Sequence, residues 1–306
     1  MNLKKLKGII VPMVTPLNDI DALDVEGLER LIEHILTGGV SGLFILGTTG
    51  EFSSLSHLLR YELIERVCKQ VAGRVPVLVG ITDTSMVESV NIANKAADSG
   101  ADAVVSAPPY YFAAGQPELI EYYEKLLKRL PLPLYLYNMP THTKIVLEPL
   151  TVNKIAENEK ILGLKDSSGN AVYFRLLQHT MMENKDFSLF VGPEEITAEL
   201  VLLGADGGVN GGANMFPSLY VDLYHAAVNR DFEKISVIQE KVLQISSGIY
   251  TVGRYGSSYM KGLKCALSVL GICNDFMAEP FHRFRQEERE KITQQLELLN
   301  LPMPKF

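Results

Sequence analysis

Residues 42–80, GLFILGTTGEFSSLSHLLRYELIERVCKQVAGRVPVLVG, contain one complete unit of the pattern that decides the fold. An apolar run, Gly42–Leu46, precedes a turn rich in Gly and Thr, an amphipathic stretch at 55–72 and a second apolar run, Val75–Gly80. Runs that are apolar throughout are typical of parallel strands covered on both faces, whereas half-exposed antiparallel strands alternate. The stretch therefore predicts a strand, a crossover helix and a second, parallel strand.

The same unit recurs along the chain. The apolar runs predict eight strands: Gly8–Val14, Gly42–Leu46, Val75–Gly80, Ala103–Ser106, Pro133–Tyr137, Ile161–Lys165, Phe187–Val191 and Gly207–Val209. Apolar residues at three- and four-residue spacing predict helices at about 25–36, 55–72, 85–99, 117–130, 148–157, 171–182, 194–204 and 216–228. Eight such units in about 220 residues indicate a (β/α)8 TIM barrel. The alternative, a doubly wound open sheet, is less favoured because no Gly-x-Gly-x-x-Gly turn follows the first strand.

After about residue 225 the alternation stops. The remaining segments predict only helices, at Asp231–Ser247, Ser258–Leu270 and Gln286–Leu299. We therefore predict an α/β protein with a catalytic barrel at 1–224 and a C-terminal domain of three helices at 225–306. A helical segment of this length is within the size range of a small domain.

Composition and charge argue against several classes of protein. A hydrophobic content of 47% is typical of a globular chain with a sizeable core. The net charge of −7, without any basic block, argues against a nucleic-acid or anionic-membrane partner. The three cysteines, Cys68, Cys265 and Cys273, are unevenly spaced, which indicates buried reduced thiols in a cytoplasmic protein. The N-terminal residues lead us to expect no secretory leader, and the sequence contains no apolar run of transmembrane length.

One lysine, Lys165, ends the sixth predicted strand and is followed by Asp166-Ser167-Ser168-Gly169. In a barrel enzyme the site is built from the loops after the strands. A desolvated lysine can attack a carbonyl group, and the Ser/Gly turn that includes Ser167 leaves room for a ligand. The alternative is a solvated lysine paired with Asp166, because most lysines lie at the surface.

Two other strand ends carry candidate chemistry. Gly47-Thr48-Thr49-Gly50-Glu51 offers backbone N–H groups and two hydroxyls, which predict a nest for a carboxylate or phosphate. The alternative is an ordinary Gly-rich turn with a capping Thr. Tyr137 lies nearest the tip of the fifth strand, on the same face as Tyr135, and is a candidate proton relay. For Tyr135 we favour the alternative, which is core packing.

Three motifs together resemble the dihydrodipicolinate synthase / N-acetylneuraminate lyase family. They are Gly47–Glu51, Tyr137-Asn138-x-Pro140 and Gly163-x-Lys165-Asp166-Ser167-Ser168. The resemblance covers nearly the whole chain and implies a class I, pyruvate-dependent aldolase or lyase. It implies that Lys165 forms an imine with the 2-keto carbon of pyruvate and that no metal or other cofactor is needed. The absence of a His-x-His or clustered carboxylate motif at the strand ends agrees with this expectation.

The resemblance also implies roles for other residues. Tyr137 would be the general acid and base, while Thr48 and Thr49 would bind the keto-acid carboxylate, one hydroxyl also serving in the proton relay. Tyr111 would be lent to the site of a neighbouring subunit in a homotetramer built as a dimer of dimers. The pocket for pyruvate and the second substrate would be lined by Gly47, Gly192 and Val209.

The residues expected to bind the second substrate are compatible with more than one reaction. Dihydrodipicolinate synthases usually place an Arg after Tyr-Asn-x-Pro to hold the carboxylate of aspartate semialdehyde, whereas this chain has His142, which lacks Arg's bidentate fork. Glu194 and Glu195 are candidates to bind sugar hydroxyls, or alternatively complement a helix dipole. We therefore favour cleavage of a 2-keto-3-deoxy sugar acid to pyruvate and an aldehyde. The alternatives are dihydrodipicolinate synthase with Lys144 in place of the Arg, a dehydratase using the same imine, and an inactive barrel that binds a keto acid as a regulator.

Overall fold

The computed structural model describes residues 5–302, in which eight strands close a parallel barrel. The strands in chain order are β1 (Gly8–Pro12), β2 (Leu17–Asp19), β3 (Ala22–Leu23), β4 (Gly42–Ile45), β5 (Val77–Gly80), β6 (Ala103–Ser106), β7 (Leu134–Asn138), β8 (Ile161–Asp166), β9 (Ser188–Val191) and β10 (Gly207–Val209). The barrel order is β1-β10-β9-β8-β7-β6-β5-β4, and β1 closes it by pairing with both β4 and β10. The predicted TIM barrel is therefore confirmed.

The barrel strands are buried on both faces, as their uniformly apolar sequences predict. Successive side chains point to opposite faces of a strand. One set, including Ile10, Phe44, Tyr137, Phe190 and Val209, forms a cluster inside the barrel. The other set packs beneath the surrounding helices in a much larger core. The inner cluster includes both Tyr137 and Val209, although they are far apart in the sequence.

Helices follow the barrel strands. Their bounds are α1 (Val25–Thr37), α2 (His57–Val71), α3 (Met86–Asp98), α4 (Gln116–Leu127), α5 (Pro140–Thr143), α6 (Pro149–Ile155), α7 (Ala171–Thr180), α8 (Thr197–Leu202), α9 (Pro217–Val228), α10 (Phe232–Gly248), α11 (Ser258–Val269) and α12 (Gln286–Leu299). Several begin where a polar side chain accepts a hydrogen bond from a backbone N–H of the first turn, the usual N-cap. These capping residues are Asp24, Ser56, Ser85, Asn170 and Asp231.

The structure adds small elements that the sequence patterns did not predict. The antiparallel hairpin of β2 and β3 follows the first barrel strand, and its strands are too short to show a period. Helix α5 is a single turn that starts at Pro140, a residue suited to the first helical position. Helix α9 runs across the predicted boundary at residue 224 to Val228. The division into two domains therefore stays a prediction.

The cysteines are in the state that the sequence predicts. Cys68, Cys265 and Cys273 are free and buried, and loss of hydration raises the pKa of each thiol. Within residues 5–302, no helix combines the length and the apolar character that crossing a membrane requires.

Candidate active site

The side chain of Lys165 lies inside the barrel near the carboxyl end of β8. It is 7% exposed, and its Nζ atom lies 4.4 Å from the ring centroid of Tyr137 and 5.2 Å from that of Phe44. Tyr137 is the register partner of Lys165 on the adjacent strand β7, which explains why the two side chains meet. An amine enclosed by aromatic rings at a strand tip is well placed to react with a bound carbonyl compound.

Asp166 does not pair with Lys165. As the next residue in the strand it points to the opposite face, where Asn138 donates a 2.8 Å hydrogen bond to its carboxylate. The backbone N–H and the hydroxyl of Ser168 donate to the same carboxylate at 3.0 and 2.9 Å. Among the ion pairs of the described residues, none includes Lys165, so the alternative of a Lys165–Asp166 pair does not apply.

The loop Gly47–Glu51 follows β4 and presents its two threonines to two different tyrosines. Thr48 Oγ1 lies 3.4 Å from the Tyr137 hydroxyl, and Thr49 Oγ1 lies 3.2 Å from the Tyr259 hydroxyl. Turn hydrogen bonds from Gly50 N–H to Gly47 O and from Glu51 N–H to Thr48 O, both 3.0 Å, keep the loop tight. Thr48 therefore couples the loop directly to the tyrosine beside Lys165.

Glu51, the last residue of this loop, is held by the C-terminal helices. Its Oε1 atom lies 2.6 Å from Lys264 Nζ of α11, and both side chains are almost fully buried. Its Oε2 atom accepts a 2.9 Å hydrogen bond from the backbone N–H of Ala278. Sequence reasoning missed Lys264, although a lysine within the apolar stretch of α11 is a recognisable signal, because lysine is rarely buried without a partner.

Other predicted pocket residues gather at the same ends of the strands. The backbone N–H of Gly192 donates a 2.7 Å hydrogen bond to Asp166 O. A Cβ atom at Gly192 would lie 2.1 Å from Ser167 Oγ, so only glycine allows these two loops to approach so closely. Val209 belongs to the inner cluster with Tyr137. The structure thus brings Lys165, Tyr137 and Val209 into one barrel interior.

Glu194 is buried, and its carboxylate accepts hydrogen bonds from two tyrosine hydroxyls and one backbone N–H. The hydroxyls of Tyr220 and Tyr250 donate to Oε1 at 2.6 and 2.9 Å, and Gly212 N–H donates to Oε2 at 2.9 Å. Loss of hydration raises the pKa of Glu194 to about 7. The tyrosines of this cluster come from α9 and from the C-terminal segment, and the strand-end motifs gave no indication of them.

Two further predicted residues lie beyond the ends of strands β6 and β7. Tyr111 is 78% exposed, and its ring meets that of Phe112 edge-on at 5.1 Å. His142 lies on α5 with its Nδ1 atom 3.0 Å from Thr141 Oγ1. Loss of hydration and the nearby Lys144 ammonium lower the pKa of His142, which leaves the imidazole neutral at pH 7. The Lys144 ammonium donates a 2.6 Å hydrogen bond to Thr141 O.

Comparison with known proteins agrees with this geometry. Residues 5–299 match the sequence profile of the Dihydrodipicolinate synthetase family. The chain belongs to the dihydrodipicolinate synthetase family. This confirms the resemblance, and with it the class of enzyme, a class I pyruvate-dependent aldolase or lyase.

Three members of the dihydrodipicolinate synthetase family illustrate its range. A structure from Bacteroides thetaiotaomicron, described as dihydrodipicolinate synthase, is 65% identical with a TM-score of 0.95, over 97% of this chain and 99% of that one. The structure of YagE from Escherichia coli K12, in complex with pyruvate, is 29% identical with a TM-score of 0.91, over 97% and 99%. The probable 2-dehydro-3-deoxy-D-pentonate aldolase YjhH of Escherichia coli K12 is 32% identical, over 95% of this chain and 96% of that protein.

Proposed function

We propose that the enzyme joins pyruvate to an aldehyde, or cleaves the product of that reaction, through an imine on Lys165. The observation that carries this proposal is the position of Lys165 Nζ, 4.4 Å from the Tyr137 ring, with the Tyr137 hydroxyl 3.4 Å from Thr48 Oγ1. An amine beside the ring of a tyrosine, whose hydroxyl in turn meets a threonine, supplies a nucleophile and a path for protons.

The proposed reaction uses Lys165, Tyr137 and Thr48 in the following steps. The Lys165 amine adds to the keto carbon of pyruvate, and the resulting carbinolamine loses water to give an iminium. Loss of a proton from C3 then gives an enamine, whose C3 attacks the aldehyde carbon. Tyr137 supplies the proton that the aldehyde oxygen takes up, and Thr48 relays protons to and from Tyr137. Water releases the product from Lys165 by hydrolysis of the iminium.

Two observations favour different identities for the aldehyde substrate. The 65% identical structure is described as dihydrodipicolinate synthase, which supports aspartate semialdehyde as the aldehyde and thus the dihydrodipicolinate synthase alternative. We therefore place the synthase reaction first, with Lys144 as the proposed partner of the second carboxylate. The sugar-acid aldolase is the second candidate, because His142 lacks the fork of an arginine and YjhH is named as an aldolase of this type.

Borohydride trapping tests the imine without knowledge of the aldehyde. Incubation with pyruvate and borohydride should add one three-carbon unit per chain, and peptide mass mapping should locate it on Lys165. Lys165→Arg should abolish the adduct, whereas the matched control Lys144→Arg should retain it. An adduct on another lysine, or none in the unmodified protein, would contradict the proposal. A screen of aspartate semialdehyde against sugar aldehydes then ranks the two candidates.

We also propose that the enzyme is a homotetramer. Tyr111 and Phe112 are 78% and 81% exposed on one loop, and adjacent exposed aromatic rings are typical of a surface that another chain covers. This placement supports the expected contribution of Tyr111 to a neighbouring site. Sedimentation should show a tetramer, and Tyr111→Ala should lower activity; a fully active monomer would contradict both expectations.

A further inference from the structure

We propose that Tyr259 is a positioning residue that orients the Thr49 hydroxyl, so that the Thr49 proton is free to bind the carboxylate of the keto acid. This inference rests on the proposed pyruvate chemistry and adds to it a residue from the C-terminal helices. Its basis is the 3.2 Å contact between the Tyr259 hydroxyl and Thr49 Oγ1.

The direction of this hydrogen bond follows from the chemistry of the two groups. A phenol is the stronger proton donor and an aliphatic hydroxyl the better acceptor, so Tyr259 donates and Thr49 accepts. Loss of hydration, followed by the nearby Glu194, raises the pKa of Tyr259, which keeps the phenol protonated at neutral pH. A hydroxyl has one proton and two lone pairs. Since Thr49 accepts from Tyr259, its own proton remains available for an anion.

The Tyr259 hydroxyl is held firmly in this position. A Cβ atom at Gly211 would lie 1.9 Å from it, so the hydroxyl sits directly against the backbone of the loop after β10. The ring meets that of Tyr250 edge-on at 4.7 Å. Five residues along α11, Lys264 pairs with Glu51 at the end of the same loop that carries Thr49. Helix α11 therefore makes two polar contacts with the loop, one from Tyr259 to Thr49 and one from Lys264 to Glu51.

The two threonines consequently have separate functions. Thr48 faces Tyr137 and belongs to the proton path, whereas Thr49 faces Tyr259 and belongs to carboxylate binding. Loss of the Tyr259 hydroxyl should weaken the binding of pyruvate and leave the chemistry on the bound molecule largely intact. A residue that only stabilises the fold would not produce this separation.

The test measures the pyruvate concentration that gives half-maximal borohydride trapping on Lys165. In Tyr259→Phe this concentration should rise by roughly 5- to 20-fold, the usual effect of weakening one hydrogen bond to a charged group, while saturating pyruvate should still label every chain. The matched control is Tyr250→Phe, which removes a neighbouring phenol hydroxyl bonded to Glu194 rather than to Thr49, and should change the value less than about 2-fold.

A double-variant cycle separates orientation of Thr49 from a general effect on the fold. In a Thr49→Val background, Tyr259→Phe should have no further effect, because the hydroxyl that it orients is absent. If Tyr259→Phe does not fold, Gly211→Ala in both backgrounds is the second test, since its methyl group displaces the Tyr259 hydroxyl. An unchanged half-saturation in Tyr259→Phe, or effects that multiply in the double variant, would overturn the inference. Failure of the unmodified protein to be trapped would instead contradict the proposed function.

Discussion

The ammonium nitrogen of Lys264 lies 2.6 Å from a carboxylate oxygen of Glu51, and the two side chains are 1% and 2% exposed. Glu51 ends the loop Gly47–Glu51 at φ 57°, in the left-handed region that is uncommon for residues other than glycine. A buried ion pair thus fixes the end of the loop that carries both threonines. The C-terminal helices are for this reason part of the support of the candidate active site.

Lys264→Met should lower the free energy of unfolding by about 3–5 kcal/mol, because it leaves the Glu51 carboxylate buried without its charged partner. Urea unfolding of the variant and the wild type measures this difference. The control is Lys261→Met on the same helix. The Lys261 ammonium lies 6.0 Å from the centroid of the Phe281 ring, and its removal should lower the free energy of unfolding by less than about 1 kcal/mol.

The double variant Glu51→Leu/Lys264→Met distinguishes a lost pair from a lost packing contact. With neither charge present, part of the destabilisation should disappear, since two apolar side chains can replace a buried ion pair at little cost, whereas the Ala278 N–H still loses its acceptor. A double variant less stable than Lys264→Met would show that the pair itself, and not the unpaired charge, determines the stability.

Tyr137→Phe should lower turnover by roughly 10²–10⁴-fold if its hydroxyl carries protons, while borohydride trapping of pyruvate on Lys165 persists. Tyr135→Phe is the matched control, because Tyr135 lies on the same face of β7, two residues farther from the strand tip. It should change turnover little. Steady-state rates and trapping in both variants give the comparison. Equal turnover in Tyr137→Phe and the wild type would remove Tyr137 from the mechanism.

The fold and the inner site could be predicted because local patterns determine them. Apolar strands and amphipathic helices alternate with little interruption, and the strand tips of a barrel converge on one face. Lys165 and Tyr137 could therefore be brought together from their positions in two strands. In the structure the two residues are register partners on the adjacent strands β7 and β8, so their side chains are neighbours.

The supporting residues could not be predicted in the same way. Tyr259 and Lys264 contact the loop at Thr49 and Glu51 across more than 200 residues of sequence, and no periodicity encodes how α11 docks on the barrel. The partners of Glu194 were missed for the same reason. The sequence presents Glu194 either as a ligand for sugar hydroxyls or as a complement to a helix dipole, whereas in the structure its carboxylate accepts hydrogen bonds from Tyr220 and Tyr250.

The stability of the protein should depend on the protonation of Glu194. Its pKa rises from an ordinary value of 4.5 to about 7 in the folded state, chiefly through loss of hydration. The folded protein therefore holds this proton at pH values where the unfolded chain has released it. This contribution to the free energy of unfolding is fully present below pH 4.5 and is lost as the pH rises through about 7. The total loss is about 3 kcal/mol.

Glu194→Gln removes this titration, so the free energy of unfolding of the wild type minus that of the variant should fall between pH 4.5 and 8. Urea unfolding at a series of pH values measures the difference. Tyr250→Phe removes a donor that favours the ionised carboxylate and should move the fall to higher pH. A difference that stays constant with pH would show that Glu194 is ionised throughout the range.

The last prediction concerns the second substrate. We expect His142 to occupy the position at which dihydrodipicolinate synthases use an arginine to form a charge-assisted bidentate pair with a second carboxylate, and the lowered pKa of its imidazole leaves it neutral. His142→Arg should therefore raise kcat/KM for aspartate semialdehyde relative to glyceraldehyde by roughly 10- to 150-fold, the equivalent of about 1.5–3 kcal/mol. Steady-state condensation rates of pyruvate with each aldehyde give this ratio. His142→Gln, neutral like the native imidazole, is the control and should leave the ratio near its native value. An efficient reaction of the unmodified enzyme with aspartate semialdehyde, lost in Lys144→Ala, would identify Lys144 as the partner of the carboxylate and support the synthase reaction over the aldolase.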